Sequence, residues 1–262
     1  MDIQVLVSTM NQKDYSLLDR MNIQTDAIII NQCDRNEIIE FEHRGNRIIW
    51  FSLNERGVGL SRNNALLRAT SDICLMADDD MVYVDGYKEI VINAFKKNLK
   101  ADIIMFNVPI HKINGETLIK VKKNKRVRFY NALKYGTVNL AFKRESILKK
   151  NIFFSLLFGG GARYGSGEDS LFITEALKKG LHIYSDTSKI AEINENTSSW
   201  FTGFNQKYFY DKGALFAAIS KKGAHLLALQ FVLRKHRIFK NHIGMKEALK
   251  AMWKGIKDFN NH

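Results

Sequence analysis

The chain has 262 residues, 45% of them hydrophobic, with a formal charge of +13. That suits one large α/β domain, or one domain with an appendage, built on a real core. It excludes a helical membrane span, because the longest apolar runs, such as LLALQFVL at 226–233, fall far short of the roughly 20 residues a bilayer requires. In chain order, IQVLVS at 3–8, DAIIIN at 26–31, RIIWFSL at 47–53, DICLMA at 72–77 and ADIIMFNV at 101–108 read as strands. Their continuous hydrophobicity suits a sheet covered on both faces. SRNNALLRAT at 61–70, with Ser61 as N-cap, and GYKEIVINAFKKNL at 86–99 read as helices. Strand–helix alternation predicts a mostly parallel sheet, with ligands beyond the carboxyl ends of the strands. The second half continues with a strand running into a short helix at 138–150 and a glycine-rich loop at 158–167. A helix follows at 168–180, then strands at 181–186 and 189–194. After Phe204 the pattern is helical and basic, which divides the chain into 1–207 and a C-terminal extension, 208–262.

The charge is uneven. Residues 212–262 carry +9, residues 112–128 carry +6, and the remainder is slightly acidic. Such patches suit anionic lipid, nucleic acid or a phosphorylated substrate. Within 246–257, Lys246, Lys250 and Lys254 form a cationic stripe beside an apolar one. That helix either lies on an anionic membrane or packs on the body with its lysines in water. The opening MDIQVLV lacks the basic region and cleavage site of a signal peptide. Cys33 and Cys74, far apart and outside any CxxC spacing, read as reduced core thiols of a cytoplasmic protein.

Three constellations carry candidate chemistry. Asp78, Asp79 and Asp80 directly follow an apolar strand. Continued strand geometry would put Asp78 and Asp80 on one side, an oxygen-rich site for Mg2+ or Mn2+; the other reading is a solvated acidic turn. GVGLSRNNAL at 57–66 leads two glycines into a helix with Arg62 near its start, either an anion-binding turn or an ordinary loop and cap. GGGARYGSGEDSLF at 159–172 ends in Glu168 and Asp169. These are either a general base beside a loop that admits an acceptor, or acids in a first helical turn with a loose capping box from Ser166. Trp200, Phe201, Phe204, Tyr208 and Tyr210 suit either sugar stacking or packing.

Together these segments resemble the family 2 glycosyltransferases, which have the GT-A fold. The matches run from Thr9-Met10-Asn11, through Gly59-Leu60-Ser61-Arg62-Asn63 and the Asp78-x-Asp80 pair, to Glu168-Asp169, over roughly residues 3–185. The resemblance implies an inverting transfer of a sugar from a nucleotide-diphosphate sugar, a UDP-sugar favoured, to a glycan or lipid-linked saccharide. It implies a divalent metal, Mn2+ or Mg2+. Thr9, Asn11, Asn31, Arg62, Asp78 and Asp79 would bind the donor, and Asp80 with Asp78 the metal. Asp169 would be the general base, with Glu168 supporting it or, with Trp200, holding the acceptor. Two departures stand out. Asn31 occupies a place where the family usually has an acid, and AEINENTSSWF at 191–201 lacks the family's later His, leaving Glu195 as a substitute ligand or water in its place. The lysine- and asparagine-rich, proline-poor composition leans to bacteria, and with it the resemblance implies surface-polysaccharide synthesis such as capsule. The expected location is cytoplasmic, peripheral on the inner face of the cell membrane through the tail. No nucleic-acid partner is expected, since acids crowd the predicted crevice. The alternative is a catalytically inactive nucleotide-sugar-binding partner subunit.

Overall fold

A computed structural model describes residues 1–194 and 203–261. The chain opens with β1 (Ile3–Met10), α1 (Leu17–Arg20), β2 (Asp26–Gln32), β3 (Glu37–His43), β4 (Asn46–Leu53), α2 (Val58–Arg68) and β5 (Ile73–Asp78). It continues through β6 (Met81–Tyr83), α3 (Tyr87–Lys97), β7 (Ile103–Asn107), β8 (Ile110–His111), β9 (Thr117–Leu118), β10 (Lys125–Arg126), α4 (Phe129–Ala132), β11 (Leu140–Lys143) and α5 (Arg144–Lys149). It closes with α6 (Glu168–Lys178), β12 (Ile183–Lys189), β13 (Ala191–Asn194), α7 (Gln206–Ile219), α8 (Ala224–Phe239) and α9 (Met245–Asn260).

The main sheet has the strand order β10-β12-β7-β11-β5-β1-β2-β4-β3. β4, β2, β1 and β5 run parallel, β11 runs against its neighbours β5 and β7, and β12 is parallel to β7. Successive side chains of a strand point to opposite faces, and the apolar runs use both. Val5, Val7, Ile29 and Leu75 join one core, while Leu6, Ile28, Ile30, Cys74 and Met76 join the other. Cys33 and Cys74 are buried free thiols. A smaller sheet, ordered β6-β13-β8-β9, stands beside the main one.

Short elements absent from the sequence reading appear at α1, β6, β8, β9, β10 and α4, and two further local features differ from it. EIIEFEH forms an additional edge strand, β3, antiparallel to β4. Its hairpin turns through Arg44 and Gly45, both at positive φ (51° and 75°), the geometry of the tight turns that match strand twist. Helix α2 begins at Val58 with Gly57 as N-cap, so Ser61 lies inside the helix. The Ser61 hydroxyl donates to Ser8 Oγ at 3.0 Å, tying α2 to β1.

The last three helices build a third apolar core. α7 and α9 cross closely: a Cβ on Gly213 would lie 2.0 Å from the Met252 carbonyl oxygen, and one on Gly255 2.1 Å from that of Tyr210. The apolar stripe of α9, Ala248, Met252, Gly255 and Ile256, is buried. That stripe therefore packs and is not offered to a membrane. Phe204, Tyr208 and Tyr210 join the same core as packing residues. Among the described residues, no helix is long and apolar enough to cross a membrane.

Candidate active site

A crevice of about 820 Å³ opens beyond the carboxyl ends of β1 and β5. That volume is in the range of sites that hold a cofactor-sized molecule. Ile110 of β8 and Ile193 of β13 supply apolar wall, and five carboxylates meet in the crevice: Asp78, Asp79, Asp80, Glu168 and Asp169. Residues 90 positions apart in sequence thus meet in one space.

The triplet does not behave as strand. β5 ends at Asp78, and Asp79 and Asp80 turn into β6, so side-chain alternation no longer assigns their directions. Each carboxylate goes its own way. Asp78 Oδ1 accepts from Arg62 Nη2 at 2.7 Å. Asp79 Oδ2 accepts from the Thr9 hydroxyl at 2.5 Å. Asp80 reaches the solvent of the crevice, yet restricted hydration, then the charges of Asp78 and Asp79, push its carboxyl up to about 6.

Arg62 is the hinge of the arrangement. It is 3% exposed and donates Nη1 to Glu168 Oε1 at 2.7 Å, opposite its bond to Asp78. Burial alone would pull the guanidinium down, but Asp78 and Glu168 outweigh it and hold its pKa above the usual value. The fork expected to meet a phosphate is therefore already taken by two carboxylates. Its Nε is buried without a hydrogen-bond partner among the described residues.

At the start of α6 the N-cap is Gly167, with no side-chain cap, so the capping box from Ser166 does not form. Glu168 Oε2 accepts the Gly167 N–H at 3.0 Å. Burial first, then Asp169, raise the Glu168 carboxyl; Arg62 pulls it back without cancelling the rise. Asp169 Oδ1 accepts the Ser170 N–H at 2.6 Å. Its Oδ2 stands by Gly136, 3.3 Å from where a Cβ would be, and Lys120 Nζ is 3.5 Å from the same point. Glu168 is thus tied down at both oxygens, while Asp169 keeps one oxygen at the crevice wall.

Not every expected residue arrives. Asn31 is fully buried. It brackets Gln12, accepting its N–H at 3.0 Å and donating to its carbonyl at 3.1 Å, so it is sealed away from the crevice. Asn11 is exposed, in the left-handed region (φ 54°), outside the lining. Thr9 lines the crevice, but its hydroxyl is committed to Asp79 and to Gln12 Nε2 at 2.9 Å. Trp200, Phe201 and Glu195 lie outside the described residues.

Other residues join without a prior signal. Gln32, Arg56, Lys120 and Thr137 line the crevice; Lys120 sat inside the basic segment, where nothing marked it out from its neighbours. The extension also reaches the site. Asp211 of α7 accepts the Gly165 N–H at 3.0 Å, and Lys212 donates to Ser166 Oγ at 3.2 Å. Burial lowers the Lys212 pKa, against the pull of Asp169, Glu168 and Asp211. Phe158 and Tyr164 of the glycine-rich loop stack at 4.7 Å and belong to the third core.

Comparisons with known proteins agree with this geometry. A profile described as Glycosyl transferase family 2 matches residues 15–155. The crystal structure of S. aureus TarS 1-349 in complex with UDP-GlcNAc superposes with a TM-score of 0.67 at 14% identity, covering 99% of this chain and 80% of that one. The same TarS 1-349 in complex with UDP gives 0.66 at 13%, covering 99% and 83%. TarS itself gives 0.64 at 14%, covering all of this chain and 49% of that one. No curated protein matches the chain. The sheet, the carboxylate crevice and the family match converge: this chain belongs to glycosyl transferase family 2 and is a glycosyltransferase of GT-A fold.

Proposed function

We propose that the chain transfers a sugar, hexosyl or N-acetylhexosaminyl, from a nucleotide-diphosphate sugar to a hydroxyl of a glycan or lipid-linked saccharide, with inversion. The observation that carries this reading is the joining of the Asp78–Asp80 turn to the Glu168–Asp169 pair through one buried guanidinium, Arg62, in a single crevice. The UDP-GlcNAc and UDP in the TarS complexes support a uridine nucleotide. The reading extends to a bacterial surface polysaccharide, and to a cytoplasmic protein held at the inner face of the membrane by its basic C-terminal region.

Asp169 is the base. Its Oδ2 accepts the acceptor's proton as the acceptor oxygen attacks the anomeric carbon. The bond from that carbon to the diphosphate breaks on the opposite side, and the nucleoside diphosphate leaves with the electron pair. A single displacement of this kind inverts the anomeric centre. Glu168, fixed by Arg62 and the Gly167 N–H, supports Asp169 from the adjacent position. Thr9 holds Asp79 at the donor side.

A hard divalent cation would fit the Asp80 end, where the charges of Asp78 and Asp79 add to the cost of ionising Asp80. Among the described residues no three His, Cys, Asp or Glu side chains group to hold an ion. Asp80, with Asp78, would then supply one or two ligands, and water and phosphate the rest, as is usual for Mg2+ beside substrate phosphates. Such an ion would supply charge neutralisation to the departing diphosphate.

The test is a thermal-shift screen of nucleotide-sugars with and without Mn2+, followed by assay of metal-dependent hydrolysis. A UDP-sugar should raise the melting temperature most when Mn2+ is present, and Asp80→Ala should abolish both the added shift and the hydrolysis. Binding of no nucleotide-sugar under any condition would reject the reading.

A further inference from the structure

The helical region leaves one apolar stripe uncovered. On α8, Ala224, Ala228, Val232 and Phe239 are buried in the third core. The opposite side carries Leu226, Leu229 and Leu233, exposed at 72%, 41% and 61%. Their i, i+3, i+7 spacing makes one stripe along the helix. Lys222 lies one turn before it, and Arg237 and Lys240 continue it one and two turns beyond, all three exposed. Trp253 of α9, half exposed, places its ring 6.3 Å from that of His225, beside the start of the stripe. Exposed Lys250 and Lys257 flank Trp253 at i−3 and i+4. Between Lys212 and Lys246 the sequence contains no Asp or Glu at all.

We propose that this face of α8, with Trp253 at its edge, seats the protein on an anionic membrane surface. The leucines enter the boundary between headgroups and acyl chains, and the cations at both ends meet lipid phosphates. The proposal rests on the peripheral-attachment reading above and moves the contact from α9, whose apolar stripe is already buried, to α8. Charge decides among occupants. A second copy docked through the same face would bring like cations together with no acid to pair them. A nucleic acid would satisfy the cations and leave three leucines in water.

Vesicle flotation tests it with the full chain. Wild type should bind phosphatidylglycerol-rich vesicles at least about tenfold more tightly than phosphatidylcholine vesicles, and high salt should weaken the binding. The combined variant Leu226→Gln, Leu229→Gln, Leu233→Gln should lose about tenfold or more of that affinity while hydrolysing a UDP-sugar as wild type does. Trp253 emission should shift to the blue on vesicle addition, a shift absent in Trp253→Phe. If wild type ignores anionic vesicles, both the attachment reading and this proposal fail. If wild type binds and the leucine variant binds equally well, attachment stands and the α8 assignment fails. A dimer in light scattering that the leucine variant disperses would make the face a protein interface and overturn the proposal.

Discussion

The crevice is built from two regions that fix their residues by different means. On the sheet side, strand ends and a buried ion pair do the positioning. Ser61 ties α2 to β1, and Arg62 then reaches Asp78 and Glu168 together. On the helical side, the positioning is indirect. α7 holds the glycine-rich loop through Asp211, Lys212 and the ring contact of Tyr210 with Tyr164, and that loop delivers α6 with Asp169 at its start. The sheet region thus places carboxylates by charge, and the helical region places one by holding a loop. Removing a charge partner should therefore damage the first region's folding, while loosening the loop should damage the second region's chemistry.

The largest effect is expected from Asp169→Asn. A positioned base contributes about 10²–10⁴-fold, so kcat for transfer should fall by that order, with the unfolding midpoint unchanged. Retention of full activity would remove Asp169 from the role. Arg62→Met should act on the other axis. It strands Asp78 and the more deeply set Glu168 without their cation, and breaking a buried pair from one side costs about 3–5 kcal/mol. Urea denaturation measures that loss directly, and Arg62→Lys should recover part of it, since the charge returns without the two-pronged fork. Asp211→Ala should be smaller, about 1–2 kcal/mol for a hydrogen bond lost at the Gly165 N–H. The informative readout is kinetic. Transfer to the acceptor should slow while the affinity for the nucleotide-sugar, measured by calorimetry, stays put. Equal losses in both would dissolve the distinction between the regions.

How much of this could be read from the sequence follows from the range of each interaction. The parallel core strands were legible because buried strands write continuous apolar runs. β3 carries no such run: EIIEFEH is an edge strand with its acids in water, and its register depends on the Arg44–Gly45 turn. The motif residues around Arg62 and Asp78–Asp80 were legible as a set, but their pairing was not, since a guanidinium's choice between a phosphate and two carboxylates is decided by burial. Asn31 shows the converse. Its place in the sequence suggested a nucleotide contact, and its hydrogen bonds to Gln12 spend it on the backbone. Lys120 and Lys212 look like any other lysine of a basic segment; only the fold brings them beside Asp169 and Ser166.

The smallest effect on stability should come from Asp80→Asn in metal-free protein, and its sign discriminates the acidic turn as a binding site from the turn as scaffold. Its folded pKa lies at about 6, above the ordinary value of 3.8. An unfolded chain therefore ionises it more readily than the folded one, so above about 6 the ionised Asp80 works against folding, and that penalty disappears as pH falls through about 6 toward the unfolded value. Because the carboxyl reaches the crevice solvent, water screens the repulsion and keeps the effect modest. Asp80→Asn should consequently melt at a higher temperature than wild type at neutral pH without metal, and the gap should close as the solution is acidified. Adding Mn2+ should reverse the order at neutral pH, since the cation favours the ionised carboxylate that the variant lacks. A gap that neither pH nor Mn2+ changes would mean that Asp80 is scaffold, and that the repulsion in the triplet has no ligand to relieve it.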